Sequence, residues 1–155
     1  PIQGGGRIIG EGCHFIDFIA FLVGSPPVSV SVHALPDMEK YNRDNITMTL
    51  TFNDGSLGVV NYLANGDKSF SKEYIEVFCE GKIAILEDFR RLTTVENGNR
   101  KVIRSVFRQD KGHRGEWEAF INAVKTNGQP PIPYDHLIDV TQTSFQVMEG
   151  LMEKT

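Results

Sequence analysis

Apolar positions along the chain change their period twice. From Gly10 to Val23 they recur at helical spacing, with Phe15, Ile16, Phe18, Ile19 and Leu22 calling for burial. The run stops at Gly24-Ser25-Pro26-Pro27, where glycine can close a helix and paired prolines forbid its continuation. The period then drops to two. "VSVSVHAL" (28–35), "NITMTLTF" (45–52) and "SLGVVNYL" (56–63) alternate as strands, and "FNDGS" between the last pair carries the Asp-Gly dipeptide of a tight hairpin.

The alternation continues through "EYIEVFCE" (73–80), which turns at Gly81 into "KIAILED", and through "FRRLTTVE", which turns at Asn97-Gly98 into "RKVIRSVF". Helical spacing returns after "DKGH", where Glu116, Trp117, Phe120, Ile121 and Val124 trace an amphipathic face with Trp117 and Phe120 read as core. A last helix runs from about Tyr134 to Met152. The pattern predicts an α+β fold: an open, mostly antiparallel sheet of about six strands, with helices packed on one face and the other face free.

The two sheet faces differ in chemistry. Val28, Val30, Val32, Ile46, Met48, Leu50, Phe52, Leu57, Val59 and Leu63 are expected on the helix-covered face. Ser29, Ser31, His33, Thr47, Thr49, Thr51, Ser56, Val60, Tyr62, Tyr74 and Phe78 are expected on the other. That second face is nearly free of charge, which suits either a solvated surface of good strand formers or a subunit or ligand contact surface.

With 155 residues, 40% of them hydrophobic, the chain suffices for one domain spanning 1–155. A net charge of −4 and scattered basic residues argue against a nucleic-acid partner. No run approaches the roughly 18 apolar residues of a membrane span. The start, "PIQGGG", has neither Met nor a basic leader, as expected of a segment from a longer chain. Cys13 and Cys79 sit in apolar periodic segments without ligand or framework spacing, so both are expected as reduced, buried thiols of a cytoplasmic protein.

Glu11, His14 and Asp17 interrupt the first helix at three-residue spacing and so form a polar ridge on an otherwise apolar element. Such a ridge faces either water or a cleft. A carboxylate beside an imidazole fixes its tautomer and equips it to exchange a proton with a substrate hydroxyl, whereas the bland reading is a surface or helix-start feature. Cys13 beside His14 suggests a thiol nucleophile less well, because adjacent helical residues diverge by about 100°. Glu11 and His14 with His113 and Glu116 imitate a carboxylate–histidine metal site, but "DKGH" reads better as a loop ending at a helix start, and no metal is expected.

The stretch "GGGRIIGEGCHFIDFIAFLVGSPP" resembles the segment opening the large helix in the C-terminal domain of the glucose-fructose oxidoreductase, inositol dehydrogenase and rhizopine-catabolism (Gfo/Idh/MocA) superfamily. The family pattern is a glycine run, an aspartate, three residues, a histidine and then Ile/Leu-Asp. Gly4 to Gly6 match the glycines, His14 the histidine and Asp17 the later acid. "FNDGSLGVVNY", "EYIEVFCEGKIAILEDFRRL", "DKGHRGEWEAFINAVKTNGQPPIP" and the closing helix follow in the family's order. "GRIIGEGCHFID" with "EDFRRL" and "DKGH" is most similar to a subgroup in which this module follows a half resembling a zinc-type alcohol dehydrogenase.

The resemblance implies the substrate-binding and oligomerising half of an NAD(P)-dependent oxidoreductase acting on a hydroxyl of a sugar or sugar derivative. His14 would relay the hydroxyl proton, Glu11 would orient it, and Arg7, Asp17 and His113 would contact substrate. NAD or NADP would bind the other half and not this chain, where the glycines lead into an apolar helix rather than out of a strand. A homodimer or homotetramer through the open sheet face is implied, without a nucleic-acid or membrane partner. The chain departs from the pattern at Gly10, where the family has its first aspartate; Glu11 stands beside it. The alternative is a non-catalytic binding or assembly module that keeps the fold.

Overall fold

The structure, a computed structural model, describes residues 6–36, 45–105, 109 and 111–152. A π-helical turn over Ile8–Gly12 leads into α1 (Cys13–Val23). Strands β1 (Ser29–Ala34), β2 (Ile46–Thr51), β3 (Leu57–Tyr62), β4 (Tyr74–Cys79), β5 (Lys82–Glu87), β6 (Arg91–Glu96) and β7 (Asn99–Arg104) follow, then α2 (His113–Thr126) and α3 (Tyr134–Met152). The α+β class and antiparallel pairing expected from the alternation are those of the chain, with the strands in two sheets, β1-β2-β3 and β4-β5-β6-β7. The chain forms two compact units, Pro1–Asn65 with Ile132–Thr155 and Gly66–Pro131. Gly4 and Gly5, Asp110 of "DKGH" and the last residues of the "RKVIRSVF" strand, Val106 and Phe107, lie outside the described residues.

In the first unit, α1 ends where the glycine permits it: Gly24 takes φ +80° and its N–H bonds to the Ala20 carbonyl at 2.8 Å. Register then fixes the faces. Met48 pairs with both Val32 and Val60, Leu50 with Gly58 and Ile46 with Tyr62, so these side chains point together toward the helices. Ile16 and Ala20 of α1 and Val140, Val147 and Leu151 of α3 are buried, as are Val32, Ile46, Met48, Leu50 and Val60 of the sheet. The fit is close at Gly58, where a Cβ would stand 2.6 Å from Ile19 Cγ2.

This register corrects the expected face of β3. Leu57, Val59 and Leu63 stand on the open side and are exposed, while Val60 is buried and Tyr62 half-buried on the helix side. The cause is one residue in the hairpin. Asn53-Asp54-Gly55 forms a three-residue loop, a turn closed by the Gly55 N–H on the Phe52 carbonyl at 3.1 Å, with Gly55 at φ +87°. A two-residue Asp-Gly loop would give the opposite parity, and a shift of one residue exchanges the faces of a whole strand.

In the second unit the sheet reverses at Glu80-Gly81 and at Asn97-Gly98, both pairs with positive φ as two-residue hairpins require. Two expectations fail there. Cys79 is exposed at the end of β4, because the terminal position of an edge strand beside a turn has little to cover it. Trp117 and Phe120 meet edge-on with centroids 6.3 Å apart yet remain 65% and 52% exposed. Helical periodicity identifies an apolar face without supplying a partner for it.

Candidate functional site

The polar ridge of the first helix starts on the π turn, not on a regular α-helix. The Cys13 N–H bonds to the Ile8 carbonyl five residues back, the extra residue that defines such a turn. Glu11 stands within that turn, and no hydrogen bond joins it to His14 among the described residues. The Tyr62 hydroxyl donates to Glu11 Oε2 instead, at 2.5 Å. Tyr62 reaches that position because β3 turns it toward the helices, where its ring also packs edge-on against Phe15 at 6.2 Å.

His14 and Asp17 line one hollow of about 250 Å³, which α1 shares with α3. Ile9, Leu137, Val140 and Phe145 give it apolar walls, and Cys13, Thr141 and Ser144 add small polar groups. The hydroxyls of Thr141 and Ser144 donate back to the carbonyls of Leu137 and Val140 at 2.7 and 2.8 Å, so they meet a ligand as acceptors. His14 is exposed, and its ring makes no hydrogen bond to another described residue. Burial pushes the Cys13 thiol above its ordinary pKa, with the Asp17 carboxylate adding to the effect, so Cys13 is a poor nucleophile at neutral pH.

Asp17 is bonded through Oδ1 to His136 Nε2 at 2.5 Å. His136 opens α3, 119 residues further along, and nothing in the spacing of the sequence connects the two. Tyr62 and His136 are the residues that sequence reasoning missed. Tyr62 was legible only through the hairpin parity, and His136 only as an imidazole set between Asp135 and Asp139 in the closing helix.

Of the other expected site residues, Arg7 is exposed immediately before the π turn. His113 begins α2 in the second unit, exposed, with Nδ1 4.0 Å from Glu116 of its own first turn. No group of three or more His, Cys, Asp or Glu among the described residues is arranged to hold a metal ion. Nor do the described residues fit a nicotinamide dinucleotide. Every strand pairing is antiparallel, whereas such cofactors lie at the carboxyl ends of parallel strands, against a glycine-rich turn between strand and helix. What the hollow offers is an imidazole without a hydrogen bond to another described residue, near a carboxylate held by His136 and between apolar walls, a set of groups with the chemistry of proton exchange.

A family model described as "Oxidoreductase family, C-terminal alpha/beta domain" (GFO_IDH_MocA_C) matches residues 1–148. Among solved structures, a dehydrogenase (MviM) from Clostridium difficile is similar with a TM-score of 0.75 and 18% identity over 96% of this chain and 49% of that one. UDP-N-acetylglucosamine 3-dehydrogenase GnnA from Acidithiobacillus ferrooxidans gives a TM-score of 0.72 and 15% identity over 97% and 50%. An oxidoreductase from Agrobacterium radiobacter, in complex with NAD+, L-tartaric acid and magnesium, gives 0.73 and 13% over 94% and 46%. The chain thus spans about half the length of these proteins. No curated protein matches it significantly.

Proposed function

The chain belongs to the Gfo/Idh/MocA oxidoreductase family as its C-terminal alpha/beta domain, and from that premise we propose that it is the substrate-binding half of an NAD(P)-dependent oxidoreductase acting on a hydroxyl of a sugar or sugar derivative. The observation that carries this reading is the exposed ring of His14, without a hydrogen bond to another described residue, at the hollow it shares with Asp17. His14 accepts the proton of the substrate hydroxyl on oxidation and returns it on reduction. Asp17 and Arg7 bind substrate hydroxyls, with His113 as a further contact. The family match and a neighbour named for a UDP-sugar support the substrate class.

NAD or NADP is held by a dinucleotide-binding half outside this chain, of the zinc-type alcohol dehydrogenase-like kind that the subgroup resemblance suggests. The protein works in the cytoplasm, in keeping with two free cysteines and with the absence, among the described residues, of a helix long and apolar enough to cross a membrane. It pairs with further copies through the open face of β1–β3. There Ser29, Ser31, His33, Thr47, Thr49, Thr51, Leu57, Val59 and Asn61 present no carboxylate, lysine or arginine, a composition that favours contact over solvation. Thr49→Lys with Val59→Lys would then reduce the mass seen by light scattering to that of one copy.

Two observations favour the alternative of a non-catalytic binding or assembly module: position 10 is Gly10 and carries no acid, and Glu11 is engaged by Tyr62. Turnover separates the two readings. In the protein that joins this chain to its dinucleotide-binding half, His14→Ala is expected to lower turnover roughly 10²- to 10⁴-fold with cofactor affinity unchanged. Undiminished turnover would refute the relay and leave the module.

A further inference from the structure

We infer that His136 is a positioning residue of the hollow, fixing the Asp17 carboxylate beside His14 from the opposite wall. The inference rests on the proton-relay reading for its catalytic meaning, but the positioning itself is a property of the folded chain.

Three observations converge on it. Asp17 stands one turn after His14 on α1 with its side chain 45% exposed, so by itself it would be free to swing among rotamers. Its Oδ1 is instead held by His136 Nε2, a bond from another helix whose side chain is only 26% exposed. A carboxylate can only accept, so His136 must donate from Nε2, and a neutral His136 is confined to the Nε2–H tautomer. Finally, α1 and α3 are the two walls of the hollow, so the same bond that orients Asp17 also fixes the polar edge of one wall relative to the other.

The arrangement divides the ridge cleanly. Glu11 is taken by Tyr62 and Asp17 by His136, each from a different element, while the ring between them has no hydrogen bond to another described residue. Of the two acids, Asp17 is the one that lines the hollow with His14. A group that must meet a substrate proton gains from a charged neighbour whose position is set before substrate arrives, since no reorganisation is then needed during the reaction. His136 is the group that sets it.

The test reads the imidazole nitrogens of the ¹⁵N-labelled chain by long-range ¹H–¹⁵N spectroscopy. His136 is expected as the Nε2–H tautomer, and His136→Leu is expected to move the ring signals of His14. His136→Gln, whose amide nitrogen donates from a similar reach, should return those signals toward their original positions. Asp17→Asn keeps the oxygen acceptor while removing the charge, so it tests the same link with little burden on folding if the leucine variant fails to fold; it too should move the His14 signals. An Nδ1–H tautomer for His136, or His14 signals indifferent to both substitutions, would overturn the inference.

In the protein carrying the dinucleotide-binding half, His136→Leu should lower kcat roughly ten- to hundredfold with the larger effect on kcat than on KM, and His136→Gln should recover much of it. Turnover abolished by His14→Ala but indifferent to His136→Leu would overturn this inference alone. Turnover indifferent to His14→Ala, with the spectroscopic coupling intact, would instead sink the proton relay and leave the positioning standing.

Discussion

The hydroxyl of Tyr62 donates to Glu11 across 51 residues of chain, tying the end of β3 to the π turn that precedes α1. The bond lies at the surface, and its loss leaves the Phe15–Tyr62 ring contact in place. Tyr62→Phe is therefore expected to cost about 0.5–1.5 kcal/mol, read as a lower urea midpoint with an unchanged slope. Glu11→Gln retains an oxygen acceptor and should cost less than Tyr62→Phe.

Gly58 is demanded by packing. A Cβ there would meet Ile19 Cγ2 at 2.6 Å and Cδ1 at 3.1 Å, and Cγ2 sits on a β-branched carbon with little rotamer freedom in a helix. Helix α1 must move, so Gly58→Ala should destabilise by about 1–3 kcal/mol. The measurement that isolates the cause is a double-mutant cycle. Ile19→Ala removes the obstructing atoms, and the pair should cost clearly less than the sum of the single changes.

The hairpin turn is acid-sensitive with a definite sign. Asp54 accepts from the Ser56 N–H and the Ser56 hydroxyl, both at 2.9 Å, and these bonds hold its pKa below the ordinary 3.8. A carboxyl depressed in the folded state adds stability that is fully present above its unfolded pKa and disappears as pH falls through the folded value. Denaturant midpoints of the chain and of Asp54→Ala should accordingly differ near neutrality by a constant amount. The gap should begin to close only as pH falls below about 4.

The two thiols should react in a set order. Burial raises the pKa of Cys13 and keeps it half-covered, whereas Cys79 is exposed. Since the thiolate is the reacting form, limited iodoacetamide at neutral pH should alkylate Cys79 first, located by peptide mass mapping. Equal labelling would mean that α1 opens from α3 on the timescale of the reaction.

The sequence carries this fold unevenly, and the reasons are local. The strand alternation, the stop at Gly24 and the extent of α3 were legible because each depends on residues near one another in the chain. The facing of β3 was not, because Asp-Gly suits both two- and three-residue loops and only the register of Thr51 on Leu57 decides between them. The site shows the same division. His14 and Asp17 were visible as a ridge, but the partner of each acid was not: Tyr62 follows from the strand's parity, and His136 from the packing of helices separated by more than a hundred residues. Glu11 stands on a π turn and its bond to Tyr62 depends on the parity of β3, so neither was legible in its spacing to His14.

That turn also absorbs one extra residue without redirecting the chain. Removing any one residue from 8–12 would let the segment close as ordinary α-helix, a more regular structure with better-formed hydrogen bonds. Because the steps of the wide turn are smaller, the shortened α-helical turn would span about the same rotation, and Arg7 would keep nearly its present direction relative to His14. A deletion variant can thus gain in helical regularity while Arg7 and His14 keep their relative facing, which makes the irregular backbone a tolerated extra residue and not a flaw in the helix.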